Sequence, residues 1–263
     1  MKIKNVLVVY AGPTSRECKL TLGKVRNILK KYKVNYKIIN RGNLSRKIFE
    51  NSSLIIAVGG DGTFLRAAQF IRNQFLFGVN ADVKNKEGFL MNADKANFGK
   101  KIRKILNGRF KIAKLQRLEA YINNKKIETL ALNEFFVGPI KSYHAAKYVI
   151  KVDGVKERQK SSGILVSTPI GSRAWANSCC NKALPLNSKN FQFIVREPYQ
   201  GKIFKNYKLK YGVLRKHQKV NIISEMLDGI LIADSVGKEY RLKNGSKVTI
   251  KLSNDHLNAI WVK

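Results

Sequence analysis

Three glycines surround a single carboxylate in the run Gly59-Gly60-Asp61-Gly62-Thr63. The run follows an apolar segment at 54–58 and precedes a helix-like one at 64–72. Glycines let the backbone approach a ligand closely and turn its N–H groups toward it. The positive end of a following helix adds to that field, so a triphosphate fits, with Gly60, Gly62 and Thr63 as candidate contacts. Asp61 is then an acid set among anion-binding donors. Such a group has a use if it orients or deprotonates a hydroxyl that attacks phosphorus, or if it holds Mg2+. The bland alternative is a tight strand-to-helix turn capped by Asp61. Neither a G-x-x-x-x-G-K-[ST] loop nor G-x-G-x-x-G occurs, which excludes P-loop and Rossmann readings.

A second candidate is Asn133-Glu134, two polar residues inside the apolar run 130–137. Adjacent strand residues point to opposite faces, so at least one of them faces a buried layer and needs a partner. An amide beside a carboxylate suits ribose hydroxyls or an adenine edge; the alternative is an edge strand with Glu134 in solvent. A third candidate is the stretch 161–175, where a strand runs into Pro169 and Thr168 is held extended. Gly171 permits a sharp turn, Ser172 is a good N-cap for a helix starting at Arg173, and Trp175 offers a ring to stack on a base. The alternative there is a capped helix with a core tryptophan.

The elements that must position these groups are legible as patterns. Strand-like runs at 4–10, 34–40, 54–58 and 75–79 alternate with helix-like runs at 14–31, 44–50 and 64–72, predicting a parallel sheet with covered faces. Beyond Gly108 the texture becomes β: 110–123, 127–137, 147–152, 164–167, 221–224, 230–234, 239–242 and 247–252 read as strands, with Asn244-Gly245 as a hairpin turn. The fold class expected is an α/β N-terminal domain with a parallel sheet (1–107) plus a β-rich, layered-sheet C-terminal domain (108–253). The tail, 254–263, is a candidate to return to the first domain.

A chain of 263 residues, 44 % hydrophobic, buries a sizeable core. The longest apolar runs are too short for a membrane span, and the start reads as strand rather than signal peptide or presequence, so a cytoplasmic protein is expected, or one of an organellar matrix. The odd cysteine count (Cys18, Cys179, Cys180) and the scattered histidines argue for reduced thiols and against structural zinc. The net charge of +34 has two readings: affinity for polyanions, or a lysine-rich solvated surface. The lysines are scattered and no nucleic-acid motif accompanies them, so the second is preferred; neither a specific nucleic acid nor a membrane is expected as partner.

Together, and in this order, the three segments resemble the NAD kinase family. Gly78-Val79-Asn80-Ala81-Asp82 with Glu87-Gly88-Phe89-Leu90, and Gln159-Lys160-Ser161-Ser162-Gly163 with Gly171-Ser172-Arg173-Ala174-Trp175, are similar to that family's mitochondrial-type branch. The resemblance implies ATP as phosphoryl donor, NAD(H) as acceptor, nucleotide-bound Mg2+ with no protein metal ligand assigned, and a homodimer or homotetramer. It makes Asp61 the catalytic residue and Asn133 and Glu134 the pair holding NAD. Asn80, Ser162, Thr168, Ser172, Ala174 and Trp175 join the nucleotide-binding residues. Most bacterial and cytosolic members have Asp-Gly where this chain has Ser162-Gly163, and Thr in place of Ile170. Lipid kinases of the diacylglycerol and sphingosine type share the glycine loop and are the alternative, as is a non-enzymatic nucleotide or polyanion binder. The Asn133-Glu134 pair and the turn at 171–175 speak against the former, and retention of Asp61 against the latter.

Overall fold

The computed structural model describes every residue except 1, 2, 4, 13 and 14. The expected first strand (4–10) and first helix (14–31) begin on Lys4 and Thr14, which lie outside the described residues. The chain divides into two compact units, one running to Leu115 and resuming at His256–Lys263, the other Gln116–Asp255. The sequence suggested divisions at 107 and 253.

The first unit runs β1 (Asn5–Tyr10), α1 (Arg16–Lys31), β2 (Asn35–Asn40), α2 (Arg46–Phe49), β3 (Leu54–Gly59), α3 (Asp61–Ala68), β4 (Phe75–Asn80), β5 (Ala93–Asp94), α4 (Phe98–Leu106) and β6 (Lys111–Leu115). The second runs β7 (Leu118–Ile122), β8 (Lys125–Lys126), β9 (Glu134–Pro139), β10 (Ala146–Val152), β11 (Val155–Ser161), β12 (Gly163–Ser167), α5 (Trp175–Cys180), β13 (Phe191–Arg196), β14 (Tyr211–Leu214), β15 (Val220–Ser224), β16 (Gly229–Ala233), β17 (Tyr240–Leu242) and β18 (Lys247–Leu252). β19 (Leu257–Trp261) then rejoins the first unit.

The first sheet has the order β2-β1-β3-β4-β19-β6, with β5 on β4. It is parallel except at β6. β3 is buried along its whole length, the signature of a strand covered on both faces. Ser15 caps α1 by accepting the Cys18 N–H, and the helix buries Cys18, Thr21, Val25 and Leu29, one stripe at helical spacing. The register sets Gly59, the last residue of β3, opposite Asn80, the last of β4. Two sequence signals thus meet at the carboxyl edge of a parallel sheet, where open α/β sheets bind ligands.

The second unit stacks two antiparallel sheets, β11-β10-β15-β18-β7-β8 and β14-β13-β12-β9-β16-β17. Alternate residues of both sheets, among them Tyr148, Ile150, Ile222 and Ile250 facing Phe135, Ile164, Val166 and Phe193, form one core. On the outer face of the second of these sheets, α5 covers Leu165 and Ile194 with Ala176, while Trp175 and Phe136 pack alongside. The fold class follows the alternation read from the sequence.

Several local expectations are corrected. The run 110–123 is two strands, β6 and β7, broken at Gln116-Arg117. β9 starts at Glu134 rather than 127, because the N–H groups of Leu132 and Asn133 go to the Asp234 carboxylate instead of a neighbouring strand. α3 spans Asp61–Ala68 rather than 64–72, with Gly60 as its N-cap, so Asp61 sits in the first turn and is not the cap. α4 went unread, although Phe98, Ile102 and Ile105 form a buried stripe at helical spacing. β11 went unread too, since its inward positions include the polar Gln159 and Ser161.

Candidate functional site

In the first unit, β3 ends at Gly59 and the chain turns through Gly60 into α3. Gly59 has no room for a side chain: a Cβ would stand 2.2 Å from Thr63 Oγ1. Thr63 is fully buried and accepts a long hydrogen bond from Arg41 Nη1 (3.4 Å). Asp61 is half-buried, and both its oxygens are used: Oδ2 accepts the Phe89 N–H at 3.0 Å and Oδ1 the Leu90 N–H at 2.8 Å. The carboxylate therefore ties the first glycine loop to the second. Each oxygen keeps a further lone-pair direction with which to accept from a hydroxyl.

Asn80 organises that second loop. Its Oδ1 accepts the Asp82 N–H (3.0 Å) and its Nδ2 donates to the Lys86 carbonyl (2.9 Å). Gly88 closes the loop at φ +67°, where a Cβ would meet Asn80 Nδ2 at 2.3 Å. The amide of Asn80 is thus engaged inside the protein at both ends.

In the second unit, β9 is an interior strand flanked by β12 and β16, which disposes of the edge-strand reading of Glu134. Asn133 and Glu134 are 8 % and 3 % exposed, yet Asn133 Oδ1 and Glu134 Oε2 have no hydrogen-bond partner. Buried polar atoms are normally paired, so two such atoms on neighbouring residues mark a place built for something else to bond. Burial, with the Asp234 carboxylate close by, pushes the Glu134 carboxyl up to about 8. Around neutral pH it is a proton donor. Ser167 and Gln192 lie level with Glu134 on the next two strands, and Ser167 Oγ and Gln192 Nε2 are likewise buried without partners.

The segment after β12 lies directly on this pair. The Thr168 N–H donates to the Asn133 carbonyl (2.9 Å), and its hydroxyl donates to the Leu132 carbonyl (2.7 Å). Ser172 does not cap a helix at Arg173. Residues Gly171–Arg173 form a 3-10 turn, α5 begins at Trp175, and the Ser172 hydroxyl is turned inward, donating to Pro169 O (2.7 Å) and accepting the Leu184 N–H (2.8 Å). The Pro169 carbonyl thus finds a donor in that hydroxyl. Ala174 and Trp175 are half-buried. The Trp175 ring packs on Phe136 (centroids 5.1 Å apart) under the Arg196 guanidinium, 4.8 Å from its centre. Ser162 lies elsewhere: it precedes the opposite end of β12, about 20 Å of strand from Thr168.

The structure thus gathers Gly60, Asp61, Gly62, Thr63 and Asn80 in one unit, and Asn133, Glu134 and Thr168 in the other, with Ser172, Ala174 and Trp175 on the adjoining turn. Sequence reasoning missed Asp234, Ser167 and Gln192. Asp234 reads merely as the end of a strand, and the other two carry no local signal beyond a polar residue in an apolar run.

Comparison with known proteins bears on the family and the fold. The family model described as "ATP-NAD kinase N-terminal domain" matches residues 4–110. An NAD kinase of Thermoplasma volcanium is 30 % identical over 81 % of the chain and 76 % of its own length. A probable NADH kinase of rice is 25 % identical over 97 % of the chain and 84 % of its own. Among solved structures, an NAD kinase from Archaeoglobus fulgidus in complex with ATP superposes with a TM-score of 0.77 at 26 % identity, covering 98 % of this chain and 93 % of that one.

Proposed function

The chain belongs to the NAD kinase family of phosphotransferases, and from that premise we propose that it transfers the γ-phosphoryl group of ATP to the adenosine ribose 2′-hydroxyl of NAD or NADH. The observation that carries the reading is Asp61, an acid set in a glycine loop at the start of α3 and held from behind by two backbone N–H groups. The carboxylate orients the ribose hydroxyl and takes its proton as the bond to phosphorus forms. Backbone N–H groups at Gly60 and Gly62 face the phosphates, and Thr63 shapes their turn, its own N–H closing onto the Gly60 carbonyl (2.9 Å). Asn133 and Glu134 supply the acceptor and the donor for the adenosine ribose. Asn80, Thr168 and Ser172 act through the backbone they hold, since their side chains are engaged inside the protein. Ala174 and Trp175 line the nucleotide's path. Ser162 belongs to the proposal on family likeness alone.

Mg2+ is assigned to the triphosphate on the family likeness. Bound there, it neutralises phosphate charge. The likeness to the mitochondrial-type branch, a homodimer or homotetramer, and a reducing, cytoplasmic setting complete the reading. Purified protein incubated with Mg-ATP and NAD or NADH should form NADP(H), measured with an NADP-specific dehydrogenase. No product above the level without protein would sink the assignment.

A further inference from the structure

We propose that Asp234 is the positioning residue of the nucleotide-binding pair, its carboxylate holding the backbone of Asn133 and Glu134 so that their side chains face the ribose. The inference rests on the functional reading above.

Asp234 follows β16 and is 3 % exposed. Its Oδ1 accepts the N–H groups of Asn133 (2.7 Å) and Glu134 (3.3 Å), and its Oδ2 that of Leu132 (3.0 Å). The Asp234 N–H in turn donates to the Glu134 carbonyl (2.9 Å). Three successive backbone N–H groups curving round one anion form a nest, an arrangement that binds phosphates elsewhere and here binds a side chain of the same chain. With Thr168 engaging the Leu132 and Asn133 carbonyls, this peptide segment is bonded on both sides. The side chains of Asn133 and Glu134 are what it leaves over.

The arrangement has a conformational cost. Asp234 and Ser235 adopt φ of +55° and +53°, a left-handed pair of non-glycine residues. Such conformations persist where surrounding bonds over-determine them, and they cluster at functional sites. A buried acid is also an expensive acceptor where an ordinary strand carbonyl would do. Its charge has a second effect. The charged group that bears on Glu134 is Asp234 itself; Ser167 and Gln192, level with Glu134 on the neighbouring strands, are neutral. The buried Arg117 guanidinium feels Asp234 and Asp255 in turn. Asp234 thus both places Glu134 and favours its protonated, donating form.

Asp234→Asn keeps one acceptor oxygen but removes the charge and points an amide N–H2 at a backbone N–H. KM for NAD should rise about 5- to 150-fold, the loss of one buried charge-assisted hydrogen bond, with kcat falling less and KM for ATP least. The pH above which KM for NAD climbs should move down, because Glu134 then ionises more readily. Glu134→Gln, which cannot ionise, should abolish that climb. A merely structural Asp234 would lower thermal stability in the variant and leave the pH of the climb in place. Unchanged KM and pH dependence in Asp234→Asn overturns the inference. Should that variant not fold, calorimetric titration of NAD into wild type and Glu134→Gln between about pH 6 and pH 9 decides. Identical pH dependence in the two overturns it. Wild-type protein that neither binds nor phosphorylates NAD is a different outcome, and it ends the functional reading itself.

Discussion

Gly171 lies so close to Asn133 that a Cβ on the glycine would stand 2.0 Å from the Asn133 carbonyl oxygen. The obstacle is backbone on both sides, so no rotamer change relieves it. Gly171→Ala must displace either the 3-10 turn or the entry to β9. Overpacking of this kind costs about 1–3 kcal/mol, and the midpoint of thermal unfolding should fall by several degrees, roughly 2–8 °C. Because what moves is the peptide carrying Asn133, KM for NAD should rise while KM for ATP stays near wild type. Calorimetry with steady-state kinetics checks both, and an unaltered KM for NAD would detach this turn from the binding pair.

That contact also shows where reading the sequence reaches its limit. Periodicity located β1, α1, β3 and β4, because each buries a whole face or both faces. The glycine loop and the Asn133-Glu134 pair were visible since glycines and polar residues interrupt apolar runs. Asp234 was not, because its role is to bond residues about a hundred positions earlier, and an acid closing an apolar strand looks like a turn. Ser172 was assigned a cap it does not make, since local sequence cannot tell a hydroxyl facing its own helix from one bonded to Pro169 and Leu184. What long-range pairing decides, the sequence pattern leaves open.

Glu134 makes stability depend on pH in an unusual direction for an acid. Its carboxyl is raised from 4.5 to about 8, so between those values the folded chain keeps a proton that the unfolded chain has lost. The stability this contributes is complete below the ordinary value, declines as pH rises, and is gone above about 8. Glu134→Gln removes the slope. The difference in unfolding temperature, variant minus wild type, should become more positive from about pH 6 to about pH 9. A constant difference would mean that Glu134 titrates as an ordinary surface acid.

The surplus of positive charge has a local expression in the sheet β11-β10-β15-β18-β7-β8. The β10–β11 register sets Lys147 opposite Lys160 and Lys151 opposite Lys156. Like charges directly opposed across a strand pair destabilise it, and a net charge of +34 adds a general repulsion. Lys151 and Lys156 are both exposed. Lys156→Glu converts the second pair into an attractive one and should stabilise by about 0.2–1 kcal/mol at low salt. The gain should shrink toward zero near about 1 M salt, where screening is nearly complete. A gain that persists there would have a packing origin. Catalysis should be untouched, as neither lysine belongs to the nucleotide-binding residues.

Asp61→Asn tests the chemical step. Phosphoryl transfer passes through a loose transition state in which the nucleophile gives up its proton late, so orientation by the carboxylate matters beside its basicity. Asparagine keeps one acceptor oxygen but sets an amide N–H2 against the N–H of Phe89 or of Leu90, one of the two bonds that tie the glycine loops together. Two effects therefore separate. Loss of the proton acceptor should lower kcat by at least about 100-fold, the lower end of general-base contributions. Loss of one loop bond should lower the unfolding temperature modestly and weaken nucleotide affinity by far less than kcat falls. Calorimetric titration of NAD alongside turnover distinguishes the two. If the variant kept more than about a tenth of wild-type kcat, Asp61 would be a clamp between two loops and not the base, and the proton would have to leave the ribose hydroxyl by another route.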